Sequence, residues 1–108
     1  MAEDLAEKTC VPCHGGVPRL GTDEIARLAG QAAGWEAVEE HHLRRRYEFP
    51  NFRRALEFVN RVGELAEREG HHPDVSFGWG YCELTIYTHA AGGLTESDFI
   101  LAAKIDRL

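Results

Sequence analysis

The order of hydrophobic patterns along the chain predicts an α+β fold: a four-stranded antiparallel sheet with three helices packed on one face, in the order α-β-β-α-β-β-α. Three observations carry this reading. An amphipathic stretch after Asn51 runs to Gly70 with apolar residues every three or four positions. Two pairs of short strand-like segments lie on either side of it. Within each pair the spacer is a turn and not a crossover helix, so the partners run antiparallel.

The bulk properties set the frame. A chain of 108 residues with 44% hydrophobic content suits one domain with a single core. A net charge of −6 excludes the basic footprint of a nucleic-acid binder. No apolar run approaches the roughly 18 to 20 residues of a membrane span. The opening MAEDLAEKTC is acidic and polar and does not read as a secretory signal. Three cysteines in such a chain point to a reducing, cytoplasmic setting.

Residues 1–21 hold Pro12, Gly15, Gly16, Pro18 and Gly21 without periodicity, which predicts an irregular N-terminal arm ahead of a single domain over 22–108. Thr22 is placed to cap a first helix with Asp23 and Glu24 in its opening turn, Ile25, Leu28 and Ala32 on one face, and Gly34 at its end. Trp35–Glu39 and Leu43–Phe49 read as strands around a turn near Glu40-His41-His42. In the second, Leu43, Arg45, Tyr47 and Phe49 share one face and Arg44, Arg46 and Glu48 the other. The arginine run therefore reads as part of a half-buried strand and not as a phosphate clamp. Asn51 caps the long helix, whose stripe is Phe52, Leu56, Val59, Val62, Leu65 and Ala66. Val75-Ser76-Phe77 and Tyr81–Thr88 form a hairpin; a two-residue Trp79-Gly80 turn sets Val75 opposite Leu84 and Phe77 opposite Cys82. Thr95-Glu96-Ser97-Asp98 resembles a capping box for a terminal helix over Phe99–Leu108.

Chemistry concentrates at the break after Gly70, where His71 and His72 precede Pro73. Side-by-side chelation is disfavoured, because extended neighbours point apart and Pro73 biases His72 to an extended backbone. Nor does a familiar third and fourth ligand spacing follow. An acid/base site fits better. Both histidines follow the C-terminus of a helix, whose carbonyls favour a cation, and Glu67 lies four residues before His71 as a pairing carboxylate. Extending the hairpin register sets His72 opposite Tyr87, with His89 a step beyond, so three imidazoles gather at one end. The competing reading is that these are ordinary loop and cap histidines. At the other end of the chain, Cys10, Cys13 and His14 form a C-x-x-C-H pattern. Haem attachment would need export and an axial ligand, and a zinc knuckle a fourth ligand, so reduced thiols on a tethered arm is the preferred state.

The array Glu67-x-x-x-His71-His72-Pro73, five residues to Trp79, nine more to His89 and eight more to Asp98, resembles the pterin-4a-carbinolamine dehydratase family. The segments HHPDVSFGWGYCELTIYTHAAGGLTESDF, GWEAVEEHHLRRRYEFPNFRRALEFVNRVGELAE and KTCVPCHGGVPRLGTDEI extend the resemblance over nearly the whole chain. One departure is Trp79, where tyrosine is frequent.

The resemblance implies a cytoplasmic enzyme, homodimeric or homotetrameric, with no cofactor and no metal. It would dehydrate 4a-hydroxytetrahydropterin to quinonoid dihydropterin, in recycling of the tetrahydropterin used by an aromatic amino-acid hydroxylase. It also implies His71, His72 and His89 as the acid/base set, Glu67 as orienting His71, and Asp98 as a carboxylate that supports a histidine or touches the pterin. Each has a plain structural counterpart: Asp98 can simply close the capping box with Thr95, and Glu67 can be a solvated helix residue. Trp35 and Trp79 can stack on a pterin or serve packing. His14, His41 and His42 match no role and read as surface. Two other functions stay open: a non-catalytic dimerisation or assembly partner on the same fold, and a dehydratase of another pterin-like metabolite.

Overall fold

The computed structural model describes residues 5–10 and 18–108. After a single 3₁₀ turn at Leu5–Glu7 come α1 (Thr22–Ala29), β1 (Glu36–Val38), β2 (His42–Glu48), α2 (Phe52–Glu69), β3 (Asp74–Gly78), β4 (Tyr81–Ile86) and α3 (Glu96–Ile105). A second 3₁₀ turn, His89–Ala91, links β4 to α3. The four strands form one antiparallel sheet in the order β1-β2-β4-β3, so the two hairpins meet through β2 and β4. The expected α+β architecture is the one observed.

Alternation along the strands sorts their side chains. In β4, Cys82, Leu84 and Ile86 are fully buried against the helices, while Tyr81, Glu83 and Thr85 lie half-buried on the open face. In β2 the same rule buries Leu43 and exposes Arg44, Arg46 and Glu48, as expected for a half-buried strand. On the open face Arg46 lies over the Tyr81 ring, 4.3 Å from its centroid, and pairs with Glu48 at 3.0 Å. The core joins the sheet to Leu28 of α1, Val62 and Leu65 of α2, and Phe99, Ile100 and Leu101 of α3. The β3–β4 register sets Val75 opposite Leu84 and Phe77 opposite Cys82, as the turn residues predict.

Several boundaries differ from the expectation. Gly21, not Thr22, is the N-cap of α1, and the Thr22 hydroxyl donates to Glu40 at 3.0 Å. The helix ends at Ala29 rather than near Gly34, yet Ile25, Leu28 and Ala32 are all buried as the pattern requires. The buried face of α2 is Ala55, Phe58, Val62, Leu65 and Ala66; Phe52 is exposed, and Leu56 and Val59 flank the core. The β1–β2 turn is Glu39-Glu40, both at positive φ (52° and 56°) and closed by His41 N donating to Val38 O at 2.9 Å.

Part of the N-terminal arm packs on α3. Leu5 enters the core, Cys10 N donates to Glu69 at 3.0 Å, and Cys10 Sγ donates to the Ser97 carbonyl at 3.5 Å. Lys104 donates to the Ala6 carbonyl at 3.0 Å. Cys13 and His14 lie outside the described residues.

Helix α2 offers a paired test of backbone strain. Gly70 caps it at φ +65° with open space where a methyl group would sit, so Gly70→Ala should cost about 1 kcal/mol through backbone strain alone. Gly63, inside α2 and equally uncrowded, should gain about 0.5–1 kcal/mol as Gly63→Ala; urea unfolding of both variants checks the opposite signs. The thiols provide a second test. Burial, then the Glu69 carboxylate, pushes Cys10 up to about 12, and burial pushes Cys82 up to about 11. Both thiols therefore stay protonated in the folded state through the ordinary thiol range. Their stabilisation is present below that range and is lost as pH climbs toward the folded values. Iodoacetamide at about pH 8 should spare Cys10 and Cys82 until the chain is unfolded, as read by peptide mapping.

Candidate active site

The site is assembled where three chain segments end. The first is the C-terminus of α2. Gly70 takes the left-handed conformation, and the N–H groups of Gly70 and His71 both donate to the Ala66 carbonyl. The helix therefore stops one residue before His71, and the chain turns into β3 through Pro73. Along this extended stretch neighbours point apart. His71 turns inward and is 4% exposed, whereas His72 remains on the surface.

The second segment is the N-terminus of α3, which supplies the buried partner. His71 Nε2 donates to Asp98 Oδ1 at 2.5 Å. The other carboxylate oxygen accepts from the Thr88 hydroxyl at 2.9 Å and from the Thr95 backbone N–H at 2.8 Å. The Thr88 and Thr95 hydroxyls lie 2.8 Å apart. Asp98 is wholly buried. It closes the α3 cap through Thr95 and also bonds to His71.

The third segment is the exit of β4. Thr88 pairs with Gly93 across a closed loop, with Thr88 N donating to Gly93 O at 2.9 Å, and Gly92 takes φ +68° to let the loop turn. His89 starts the 3₁₀ turn within this loop, immediately after the Thr88 that binds Asp98. Its ring stacks on Tyr87, with centroids 4.1 Å apart. The strand pairing itself ends at Asp74 opposite Thr85, so His72 and Tyr87 are not ladder partners. They nonetheless meet: His71, His72, Asp74, Tyr87 and His89 line one cleft of about 290 Å³.

The structure corrects one expected pairing and places the two tryptophans outside the cleft. Glu67 pairs with His72, at 2.6 Å, and not with His71. Trp35 is buried away from the cleft, where Nε1 donates to the Asp106 carboxylate at 3.0 Å beside Arg45 and Tyr47. Burial, then Asp106, pushes the Tyr47 phenol above its ordinary range. Trp79 is 72% exposed at the β3–β4 turn, the far end of the hairpin from the cleft. Neither tryptophan lines this cleft. Reasoning from the sequence missed Thr88, whose only signal was its place one residue before His89. It also treated His41 and His42 as surface, but both are half-buried and belong to a ring cluster with Tyr87. Among the described residues no group of three or more His, Cys, Asp or Glu side chains is placed to hold a metal ion.

The fold and the cleft define an α+β protein with a histidine-lined site at the open end of a hairpin, braced by one buried carboxylate. The chain belongs to the pterin 4 alpha carbinolamine dehydratase family, whose model matches residues 18–108. It is 66% identical over 105 residues to a Rubrobacter xylanophilus protein named "Putative pterin-4-alpha-carbinolamine dehydratase", covering 97% of this chain and 98% of that one. An Alkaliphilus metalliredigens protein of the same name is 49% identical, covering 96% and 95%. Among solved structures, a "transcriptional coactivator/pterin dehydratase" from Brucella melitensis superposes with a TM-score of 0.77 at 28% identity, covering 82% of this chain and 96% of that one. A pterin dehydratase-like protein described as a RuBisCO assembly factor in the alpha-carboxysome gives 0.53 at 25% identity, covering 61% and 76%.

The Asp98 network yields a direct test. Asp98→Ala removes the acceptor shared by His71, Thr88 and the Thr95 N–H and should cost about 3–5 kcal/mol in urea unfolding. Asp98→Asn keeps the volume and an acceptor and should cost less. Equal, small losses in both would show that the buried pair contributes little.

Proposed function

We propose that this protein dehydrates 4a-hydroxytetrahydropterin to quinonoid dihydropterin and water, with His71, His72 and His89 as its acid/base groups. The observation that carries the reading is the convergence of these three imidazoles on one cleft. The reaction needs a proton delivered to the departing C4a hydroxyl and one removed from N5 of the pterin ring. Imidazole does both near neutral pH, since either form of the ring is accessible there. A cleft of about 290 Å³ lies just below the roughly 300–1,000 Å³ usual for small-molecule sites, which suits a small, flat bicyclic substrate.

The surroundings of the three histidines divide the work. The Asp98 carboxylate accepts from His71 Nε2, which fixes that ring's tautomer and orientation. His72 and His89 sit at the solvent side of the cleft, where a released water and a proton can leave. Glu67, bonded to His72, supports that ring and supplies a nearby negative charge. We assign Asp98 a supporting role through His71.

On the same reading the protein is cytoplasmic and a homodimer or homotetramer, serving an aromatic amino-acid hydroxylase that consumes tetrahydropterin. Free, buried Cys10 and Cys82 are compatible with a reducing compartment. No helix among the described residues is long and apolar enough to cross a membrane. Strands β1 and β3 are sheet edges within the chain, which offers a second copy a pairing surface. A non-catalytic role on this fold has a precedent in the relative described as a RuBisCO assembly factor. The complete histidine set favours the enzyme.

The experiment generates 4a-hydroxytetrahydropterin in situ and follows its decay spectrally with and without the protein. Acceleration is expected, with His71→Ala and His89→Ala each lowering kcat by about 10²-fold or more while the fold persists by circular dichroism. No acceleration by the wild-type protein would defeat the proposal. Full activity in both variants would defeat the residue assignment.

A further inference from the structure

Outside the site just described, the least expected arrangement is the pair of histidines at the β1–β2 turn. His41 Nδ1 and His42 Nδ1 lie 3.2 Å apart, so one ring donates its Nδ1–H to the other. His41 also packs on Tyr87, with centroids 4.7 Å apart, and Tyr87 stacks on His89 at 4.1 Å. A continuous line of rings thus runs from the β1–β2 turn into the cleft.

Sheet register explains how the line forms. Leu43 pairs with Ile86, so one step further His42 comes level with Tyr87 at the same sheet end as the cleft. The turn that presents His41 is itself unusual. Glu39 and Glu40 both take left-handed backbone conformations, which cost about 1 kcal/mol or more each for residues with a Cβ. Such a turn normally employs Gly or Asn. It delivers His41 directly after the strained pair, fixed by its own N–H to Val38 O. His89, by contrast, is exposed on a one-turn loop and has Tyr87 as its packed ring neighbour.

We propose that His41 is a positioning residue: by packing on Tyr87 it holds that ring against His89 and sets the orientation of the His89 imidazole in the cleft. His42 steadies His41 through the Nδ1 contact. The consequence for turnover rests on the dehydratase reading above; the orientation itself does not.

The test therefore pairs kinetics with NMR of the His89 ring protons, which sense the Tyr87 ring current. In His41→Ala the His89 resonances should move while those of buried His71 stay. The kcat should fall about tenfold with KM little changed, since misplacement of a reacting group slows chemistry. His41→Phe keeps a ring on Tyr87 and should restore both readouts. Unmoved His89 resonances in His41→Ala would overturn the proposal, as would moved resonances with unchanged kcat. Failure of Phe to restore would also overturn it, because a ring packed on Tyr87 would then not be what holds His89. If the wild-type protein shows no turnover at all, the dehydratase reading falls alone and the His89 resonances decide the positioning role.

Discussion

The contact between His71 and Asp98 is the constraint on which the rest of this site depends. A carboxylate with no solvent exposure is tolerable only when its oxygens are fully engaged, and here Asp98 accepts from His71, Thr88 and the Thr95 N–H. Those three partners come from the end of α2, the end of β4 and the cap of α3. One buried group thereby ties together the ends of three elements. The two helices reinforce it: Asp98 lies at the positive N-terminal end of α3, and His71 lies just past the negative C-terminal end of α2. Each side chain is favoured by its own helix and by the other.

That constraint separates two histidines which are neighbours in sequence. Extended backbone before Pro73 sends His71 into the core and His72 outward to Glu67. The buried pair is nearly free of solvent screening, whereas the exposed His72–Glu67 pair adds little to stability. The arrangement thus provides one rigid imidazole and one adaptable one beside the same cleft.

The fold was largely legible because its signals are local and redundant. Asn51 and Gly70 bound α2 by known cap chemistry, and Gly80 with matched apolar pairs set the β3–β4 register. The β1–β2 turn was legible only approximately: it was expected near Glu40-His41-His42 and falls at Glu39-Glu40, because neither glutamate carries the Gly or Asn signal of a left-handed turn. In the site, the three histidines were recognisable from their spacing, while their partners were not. Glu67 and His71 would share a helix face only if α2 continued to His71. Gly70 ends it first, so the four-residue rule no longer applies, and the inward-turning His71 finds a carboxylate 27 residues away. Such a partner depends on how α3 docks, which no local pattern encodes.

The docking of α3 has its own safeguard at the opposite end. Asp106 follows the last turn of α3, where the helix field disfavours a negative charge. Tyr47, Trp35 and Arg45 offset that cost by donating to it at 2.6, 3.0 and 3.1 Å. The helix is therefore pinned by a carboxylate at each end, Asp98 to the site and Asp106 to β2. Between them Phe99, Ile100, Leu101, Ala102 and Ile105 are buried, leaving the helix little freedom to slide. Trp35, which the family resemblance made a candidate for the pterin pocket, is part of this anchor, its indole bonded to Asp106 at the end of α3 opposite the His71–Asp98 contact.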